Sequence, residues 1–450
     1  MISTFAIQGI NFFVVPVFSR MMGPDNYGMV SIFLTTSNII GIIFSLETAD
    51  ALAVARNTFP EDKQYSFQSS ILFLSTLSFL MGGIILVIFS IFFEGEREVS
   101  VFYILLVLAY AWGAYCVNFI NAKFSYEFLA ERNAIISISL VVGTVISSYL
   151  LIKNLPKEIN HYGRIISLAV VYFCFGVIIC IYFFKKGRTL YNREFWNYTL
   201  PITIPTIFHL LAMQVLRQCD VLMIKGMSSS YYVGIYSLAH TFSSVISILY
   251  GVFNSSWVPF YHDYTRKKQF DKLRMHAENY LELFTILCMG FIMLSREVFF
   301  IFASSEYHDG INMIPFFVIG YYMVFLYSFA VNYEIFHRKT KAIAACTCLA
   351  AVSNIILNYL FIKAMGYQGA VYATAVSHGI QFLAHIVYAK KGIDDEFPYP
   401  IKMFVKWSFL LFSTLVFEMI FRDWGIIRWG AGGVLGVYLL ISIVRRRTIF

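Results

Sequence analysis

Charge is what this chain has least of. Only 13% of its 450 residues are Asp, Glu, Lys or Arg, about half the roughly 25% of a soluble domain. With 59% hydrophobic residues and a mean hydropathy of +0.69, a soluble globular fold is excluded. Cysteine spacing is uninformative in a useful way. Cys116, Cys174, Cys180, Cys219, Cys288, Cys346 and Cys348 all fall in apolar runs without a C-x-x-C pair, so neither a disulfide framework nor a metal site is expected. A nucleotide-binding P-loop, a metal-ligand cluster and a plausible catalytic triad are missing too, and no cofactor is expected. The short alternating segments of a membrane β-barrel do not occur. The first apolar run, Ile2 to Ser19, has no basic leader and no A-x-A-like site, so it reads as a retained helix and not a signal peptide.

What is present is a succession of charge-poor apolar runs, each near the roughly 20 residues that cross a bilayer. Fourteen are expected, with cores at Ile2–Ser19, Tyr27–Ala55, Tyr65–Phe93, Val101–Ala122, Ala134–Ile152, Ile165–Phe184, Trp196–Gln218, Val233–Phe260, Leu281–Phe302, Ile311–Phe336, Ile343–Ile362, Val371–Ala389, Met403–Phe421 and Trp429–Val444. The fold class is an all-α polytopic membrane protein. Basic residues orient it. With a cytoplasmic N-terminus, 23 of the 34 lysines and arginines fall on the inner side. They run from Arg56 and Lys63 through Lys185, Lys186 and Lys267 to Arg445, Arg446 and Arg447. The positive-inside rule then places both termini in the cytoplasm and the chain in the cytoplasmic membrane. The net charge of +8 is a topology signal, and no nucleic-acid partner is implied. The basic, aromatic-laced stretch 261–280 reads either as a helix lying on anionic lipid or as a solvated connector.

The chain also repeats itself. Gly28 and Ser31 recur as Gly234 and Ser237, and Gly163 recurs as Gly369, all at an offset of 206. Tyr126-Glu127 recurs as Tyr333-Glu334 at 207, and the Tyr149–Lys153 pattern recurs at Tyr359–Lys363 at 210. Two six-helix lobes are expected, at 1–190 and 191–395, with an added helix pair at 396–450. An even number of spans per lobe keeps both in the same orientation, with a pseudo-two-fold axis along the membrane normal. The repeated glycines stand where a close helix contact would favour a residue without Cβ.

Four stretches resemble a known family. These are PVFSRMMGPDNYGMVSIF after the first helix, the hairpin from Asp220 to Gly234-Ile235-Tyr236, SSWVPFY at Ser255–Tyr261, and REVFFIFASSEYHDGINMIPFF at Arg296–Phe317. Over roughly residues 1 to 390 the chain resembles Wzx-type oligosaccharide flippases of the multidrug/oligosaccharidyl-lipid/polysaccharide exporter superfamily. The resemblance implies two six-helix lobes forming a V, alternating access, and transfer of a polyprenyl-diphosphate-linked oligosaccharide between leaflets. It also implies cationic residues that meet the diphosphate.

Four residues are candidates for that role. Arg217 and Asp220 stand three apart on one helix and share a face. They form either an ion pair that satisfies itself, or a guanidinium fork for phosphate oxygens held in place by Asp220. Arg20 and Lys225 end two helices at the outer face, where they either snorkel to the interface or ring the mouth of a V. Arg296 is a weaker case of the same kind. Glu47 and Asp50, acidic and three apart, depart from a simple cationic pattern. They read as an ion-coupling pair for H⁺ or Na⁺, or as part of a hydrated vestibule or a pair to Arg56. His209, His240, His378 and His385 read first as neutral imidazoles bonding between helices. Two other functions remain open: an ion-coupled small-molecule exporter, and a membrane polymerase or acyltransferase. The basic Arg20 and Arg217 weigh against the first. The short outer connections, the longest being about Lys153 to Arg164, weigh against the second.

Overall fold

The computed structural model describes residues 2–92 and 100–446, the side chains of 2–11 and 13 excepted. Phe93 and Arg447, which entered the expected third span and the last basic cluster, lie outside the described residues. The described chain is helical throughout: α1 (Ile2–Phe44), α2 (Ala51–Thr58), α3 (Gln64–Phe92), α4 (Val101–Tyr126), α5 (Ala130–Asn154), α6 (His161–Gly187), α7 (Arg193–Met227), α8 (Ser230–Ser243), α9 (Val245–Arg266), α10 (Phe270–Phe302), α11 (Ile314–Phe336), α12 (Thr340–Met365), α13 (Gly369–Lys391), α14 (Ile401–Ile420) and α15 (Gly425–Arg446). Among the described residues, twelve segments are long and apolar enough to cross a membrane. One of them, Thr340–Lys391, contains both α12 and α13, and α1 itself is broken at Gly23. The fourteen expected runs therefore fall in helical segments, with Tyr27–Ala55 interrupted by a turn at 45–47 and Val233–Phe260 by one at Ser244, and the protein is a multi-pass membrane protein.

The break in α1 follows from the dipeptide Gly23-Pro24. A residue before proline is pushed out of the α region, and Gly23 takes φ 72° and ψ 171°, a conformation open to glycine at low cost. Pro24 then opens the next helical stretch, where a missing amide donor is harmless. Side chains hold the bend. Asn26 Nδ2 donates to the Lys157 carbonyl at 2.7 Å, Asn160 Nδ2 donates to the Met21 carbonyl at 3.1 Å, and His161 Nδ1 meets Asn26 Oδ1 at 2.6 Å. The bend is thereby tied to the 154–160 connection.

Two compact units divide the chain: residues 1–225 with 229–234, and residues 226–228 with 235–450. The sequence places lobe limits at 1–190, 191–395 and 396–450; by contacts, α7 groups with the first unit. Its opening aromatic residues explain why. Phe195 packs on Phe59 and Phe67 with ring centroids 5.1 and 5.4 Å apart, and Trp196 Nε1 donates to Ser70. Within the first unit, α6 packs closely on α4 and α5; within the second, α13 packs closely on α11 and α12. The same three-helix arrangement thus occurs at the repeat spacing read from the sequence.

The helices α14 and α15 pack on α10 and are fastened to it by charge. Arg428, 1% exposed, forms a close ion pair with Glu297 and donates to the Met293 carbonyl at 3.0 Å. Trp429 Nε1 donates to the same Glu297 at 3.0 Å. Arg446 pairs with Glu282 at 2.5 Å, and Lys406 with Glu278 at 3.1 Å. The surface helix considered for 261–280 does not form. α9 continues to Arg266, a turn follows with Lys268 at φ 56°, and α10 starts at Phe270. Lys267 and Arg266 fold back on Asp263 at 2.7 and 3.4 Å, and Arg274 reaches out to Glu396 and the Pro398 carbonyl.

The repeated glycines are packing sites. A Cβ on Gly28 would lie 1.9 Å from the Ser230 carbonyl oxygen, and one on Gly234 would lie 1.9 Å from that of Pro24. Gly163 and Gly369 press in the same way on the backbones at Ile152 and Phe361. These obstacles are backbone atoms that cannot rotate aside. Gly28→Ala and Gly234→Ala should each cost about 1–3 kcal/mol or more by overpacking. Gly251→Ala, where nothing lies within 4 Å, should cost nothing, and an interior helical alanine should gain slightly. Thermal unfolding of the purified proteins checks the order; equal midpoints for Gly28→Ala and Gly251→Ala would refute it.

Candidate functional site

The first unit holds all six residues singled out for substrate and ion contact. On α7, Pro201 and Pro205 lie inside a helix that stays continuous to Met227. Removing two amide donors weakens its ladder locally, and in the same segment Thr206 Oγ1 donates to the Thr203 carbonyl at 2.7 Å. Further along, Arg217 is exposed while Asp220 is 1% exposed. Among the described residues no ion pair involves Arg217. Asp220 Oδ1 receives the Cys219 thiol at 3.6 Å, and Gln214 bonds Gln218 at 2.7 Å. Three residues apart, the two charges therefore stand in different surroundings, one available and one enclosed. Lys225 is half-buried near the end of α7, and Arg20 is exposed just before the Gly23 break.

Glu47 and Asp50 sit at a second break. Leu46 and Glu47 both take left-handed φ, 52° and 47°, which costs non-glycine residues about 1–3 kcal/mol each. Hydrogen bonds hold the turn. Ser45 Oγ lies 3.2 Å from Glu47 Oε1 and accepts from the Glu47 amide at 3.1 Å. Ser75 Oγ donates to the Ser45 carbonyl at 2.5 Å, and Thr48 Oγ1 meets Ser75 Oγ at 2.8 Å and Tyr115 Oη. Glu47, 8% exposed, lines a cavity of about 150 Å³ with Asn38, Ser45, Tyr115 and Asn118 among its walls. Asp50 is exposed and its carboxylate meets the Thr206 hydroxyl. The acidic pair thus splits: Glu47 faces a small cavity lined from α1 and α4, and Asp50 reaches the proline segment of α7. Among the described residues no ion pair joins Glu47 to Arg56.

In the second unit, Arg296 is taken up by Asp423 at 3.3 Å. His240 bridges α8 to α11 through Tyr321 at 3.0 Å, and His378 bonds Gln381 on its own helix at 3.2 Å. His385 bridges α13 to α11 by pairing with Glu334 at 2.9 Å, both fully buried. Two groups escaped the sequence reading. The partner of His385 is one: a bond between helices was expected for it, but nothing in a one-dimensional pattern joins it on α13 to Glu334 on α11. Arg164 is the other: it stands at the edge of an apolar run and was counted with the loop.

The packing difference on α7 predicts a split in stability. Arg217→Ala should stay within about 0.5 kcal/mol of the parent, as an exposed substitution does. Asp220→Ala removes a buried polar group from its partners and should cost about 1–3 kcal/mol. Thermal unfolding in detergent measures both, and equal losses would mean that Arg217 is held in the native packing after all.

Residues 1–264 match the family described as polysaccharide biosynthesis protein, more than half of the 450-residue chain. The chain is 21% identical over 395 residues to a protein of Haemophilus influenzae named Lsg locus putative protein 1, covering 83% of this chain and 93% of that one. It is 22% identical over 413 residues to a probable low-salt glycan biosynthesis flippase of Haloferax volcanii, covering 87% and 82%. Among solved structures, the lipid II flippase MurJ in an inward closed conformation aligns with a TM-score of 0.73 at 19% identity over 99% of this chain and 98% of that one. An inward-facing multidrug resistance MATE transporter of the MOP superfamily aligns with a TM-score of 0.60 at 13% identity over 86% and 96%. The fold is that of the MOP exporters, and the chain belongs to the polysaccharide biosynthesis protein family.

Proposed function

We propose that this protein moves a polyprenyl-diphosphate-linked oligosaccharide from the inner to the outer leaflet of the cytoplasmic membrane, by alternating access, for assembly of a cell-surface polysaccharide. Family membership carries the reading, supported by a relative named as a probable glycan biosynthesis flippase. The protein acts as a transporter and not as an enzyme. Its lobes, 1–190 and 191–395, exchange access between the two sides, with both termini in the cytoplasm.

In this reading Arg217 is the main contact for the diphosphate. It is exposed on a membrane-crossing helix, and a planar guanidinium grips phosphate oxygens in pairs. Arg20 and Lys225 add positive charge, and Asp220 shapes the helix beneath Arg217. Glu47 and Asp50 take up a proton or Na⁺ and link the cycle to an ion gradient. A second reading, an ion-coupled small-molecule exporter, is favoured by one observation: the likeness to the MATE fold in a chain that carries two acidic residues at a helix break.

Depletion separates the two. A glycan still attached to its diphosphate lipid, trapped on the inner leaflet, is the expected result. Heightened sensitivity to cationic drugs, with no trapped lipid, would favour the exporter. At matched expression, Arg217→Ala should lower flipping about ten- to a hundred-fold, the worth of one charge-assisted contact at roughly 1.5–3 kcal/mol. Glu47→Gln with Asp50→Asn should abolish the dependence on whichever gradient drives transport. An unchanged response to collapsing the proton and Na⁺ gradients separately would sink the coupling role.

A further inference from the structure

The first unit contains a second cation that points into the membrane. Arg164 is the fourth residue of α6 (His161–Gly187), close to the 154–160 connection. Its side chain runs away from that connection. Nη1 donates to the Thr144 carbonyl at 3.3 Å and to Ser148 Oγ at 2.8 Å. Both acceptors belong to α5, which ends at Asn154, so they lie about 9 and 15 Å back from its end at 1.5 Å per residue. A cation seeking only solvation would snorkel the other way.

The guanidinium is held in one pose. Its carbon stands 4.5 Å over the Phe18 ring, and Nη1 is committed to α5. Tyr27, Tyr110 and Tyr172, from α1, α4 and α6, stand near it. Tyr110 and Tyr172 touch each other with ring centroids 4.9 Å apart. None of these partners is a carboxylate, and among the described residues no ion pair involves Arg164. Two neutral acceptors and a ring orient the charge without cancelling it. A guanidinium has five N–H donors; with Nη1 occupied, Nη2 and Nε form the remaining edge, the geometry that meets two oxygens of one oxyanion.

The geometry points to Arg164, with the hydroxyls of Tyr27, Tyr110 and Tyr172, as an oxyanion-binding subsite of the first unit, apart from Arg217. Its ligand is a phosphate-bearing headgroup. This assignment rests on the reading that the substrate carries a diphosphate; an anionic phospholipid presents the same chemistry, and the experiment separates the two sources. A second phosphate contact on another helix gives the headgroup somewhere to be held when one contact is released.

Binding to the purified full-length chain in nanodiscs tests the subsite without relying on transport. The probes are sugar-free polyprenyl diphosphate, phosphatidylglycerol and inorganic pyrophosphate. Arg164→Gln should weaken polyprenyl diphosphate binding about tenfold or more, Arg164→Lys should recover part of it, and Tyr172→Phe should weaken it less than Arg164→Gln. Inorganic pyrophosphate in excess should displace the probe. Parental affinity in a folded Arg164→Gln variant overturns the subsite, and so does failure of pyrophosphate to compete. Equal, Arg164-dependent binding of phosphatidylglycerol supports the oxyanion subsite and assigns it to an ordinary anionic lipid in place of the substrate diphosphate. If Arg164→Gln does not fold, Arg164→Lys and Tyr172→Phe decide, parental affinity in both counting against. A chain that binds the diphosphate through Arg164 yet traps no lipid-linked glycan on depletion would refute the flippase reading and leave the subsite standing.

Discussion

Hydrocarbon solvates no charge, and the rest of this structure is arranged around that fact. A charged side chain placed in a bilayer is costly unless protein or water meets it, so several ionised groups here are met by other groups from the protein. Glu297 receives Arg428 and Trp429, Glu282 receives Arg446 and Ser442, and Glu334 receives His385. A buried pair adds little net stability over a well-packed apolar pair, but breaking one leaves a stranded charge. Such pairs therefore specify which helix lies against which. That is how α14 and α15 are held on α10, where apolar contacts alone would leave their rotation loosely set.

The same rule governs the backbone. A helix inside a membrane can break only where other groups replace its lost hydrogen bonds. α1 breaks at Gly23, the chain breaks again just after α1 at Leu46-Glu47, and each break is met by side chains. Asn26, Asn160 and His161 serve the bend at Gly23, and Ser45, Thr48, Ser75 and Tyr115 serve the turn at Leu46-Glu47. The candidate residues gather near these places for a physical reason. A break brings polar groups and small cavities, such as the one beside Glu47, and those are where a carboxylate or a guanidinium can reside in a membrane at tolerable cost.

Most of the fold was legible in the sequence because the bilayer imposes a length and a composition on every crossing. The fourteen apolar runs fall in helical segments, two of them interrupted by a turn, and the glycine spacing of 206 corresponds to tight helix contacts. The candidate site was legible by residue type but not by environment. Arg217 and Asp220 share a helix face by spacing, yet packing from neighbouring helices exposes one and encloses the other. Glu47 and Asp50 look like one pair, but left-handed residues between two helices turn them toward different partners. Arg164 looked like a loop cation because its Cα is near a helix end; only the direction of its side chain shows otherwise. Side-chain direction depends on tertiary packing, which a hydropathy pattern does not encode.

The repeat shows where backbone and side-chain constraints part. Tyr126-Glu127 and Tyr333-Glu334 occupy the ends of α4 and α11, which pack on α6 and α13 in the same way. Glu127 is satisfied one turn back by Lys123 on its own helix. At the corresponding place one turn before Glu334 stands Ala330, and the carboxylate is met instead by His385 from another helix. The first arrangement is local and carries a fixed positive charge. The second crosses between helices and uses a ring that can be neutral or cationic. Helix packing tolerates both, because each satisfies the glutamate, so duplication fixes the scaffold and leaves the charges free to diverge. The two halves therefore need not perform the same chemistry, and a residue's role in one half is poor evidence for its counterpart in the other. That is why Arg217, Glu47 and Arg164 have to be judged by their own surroundings.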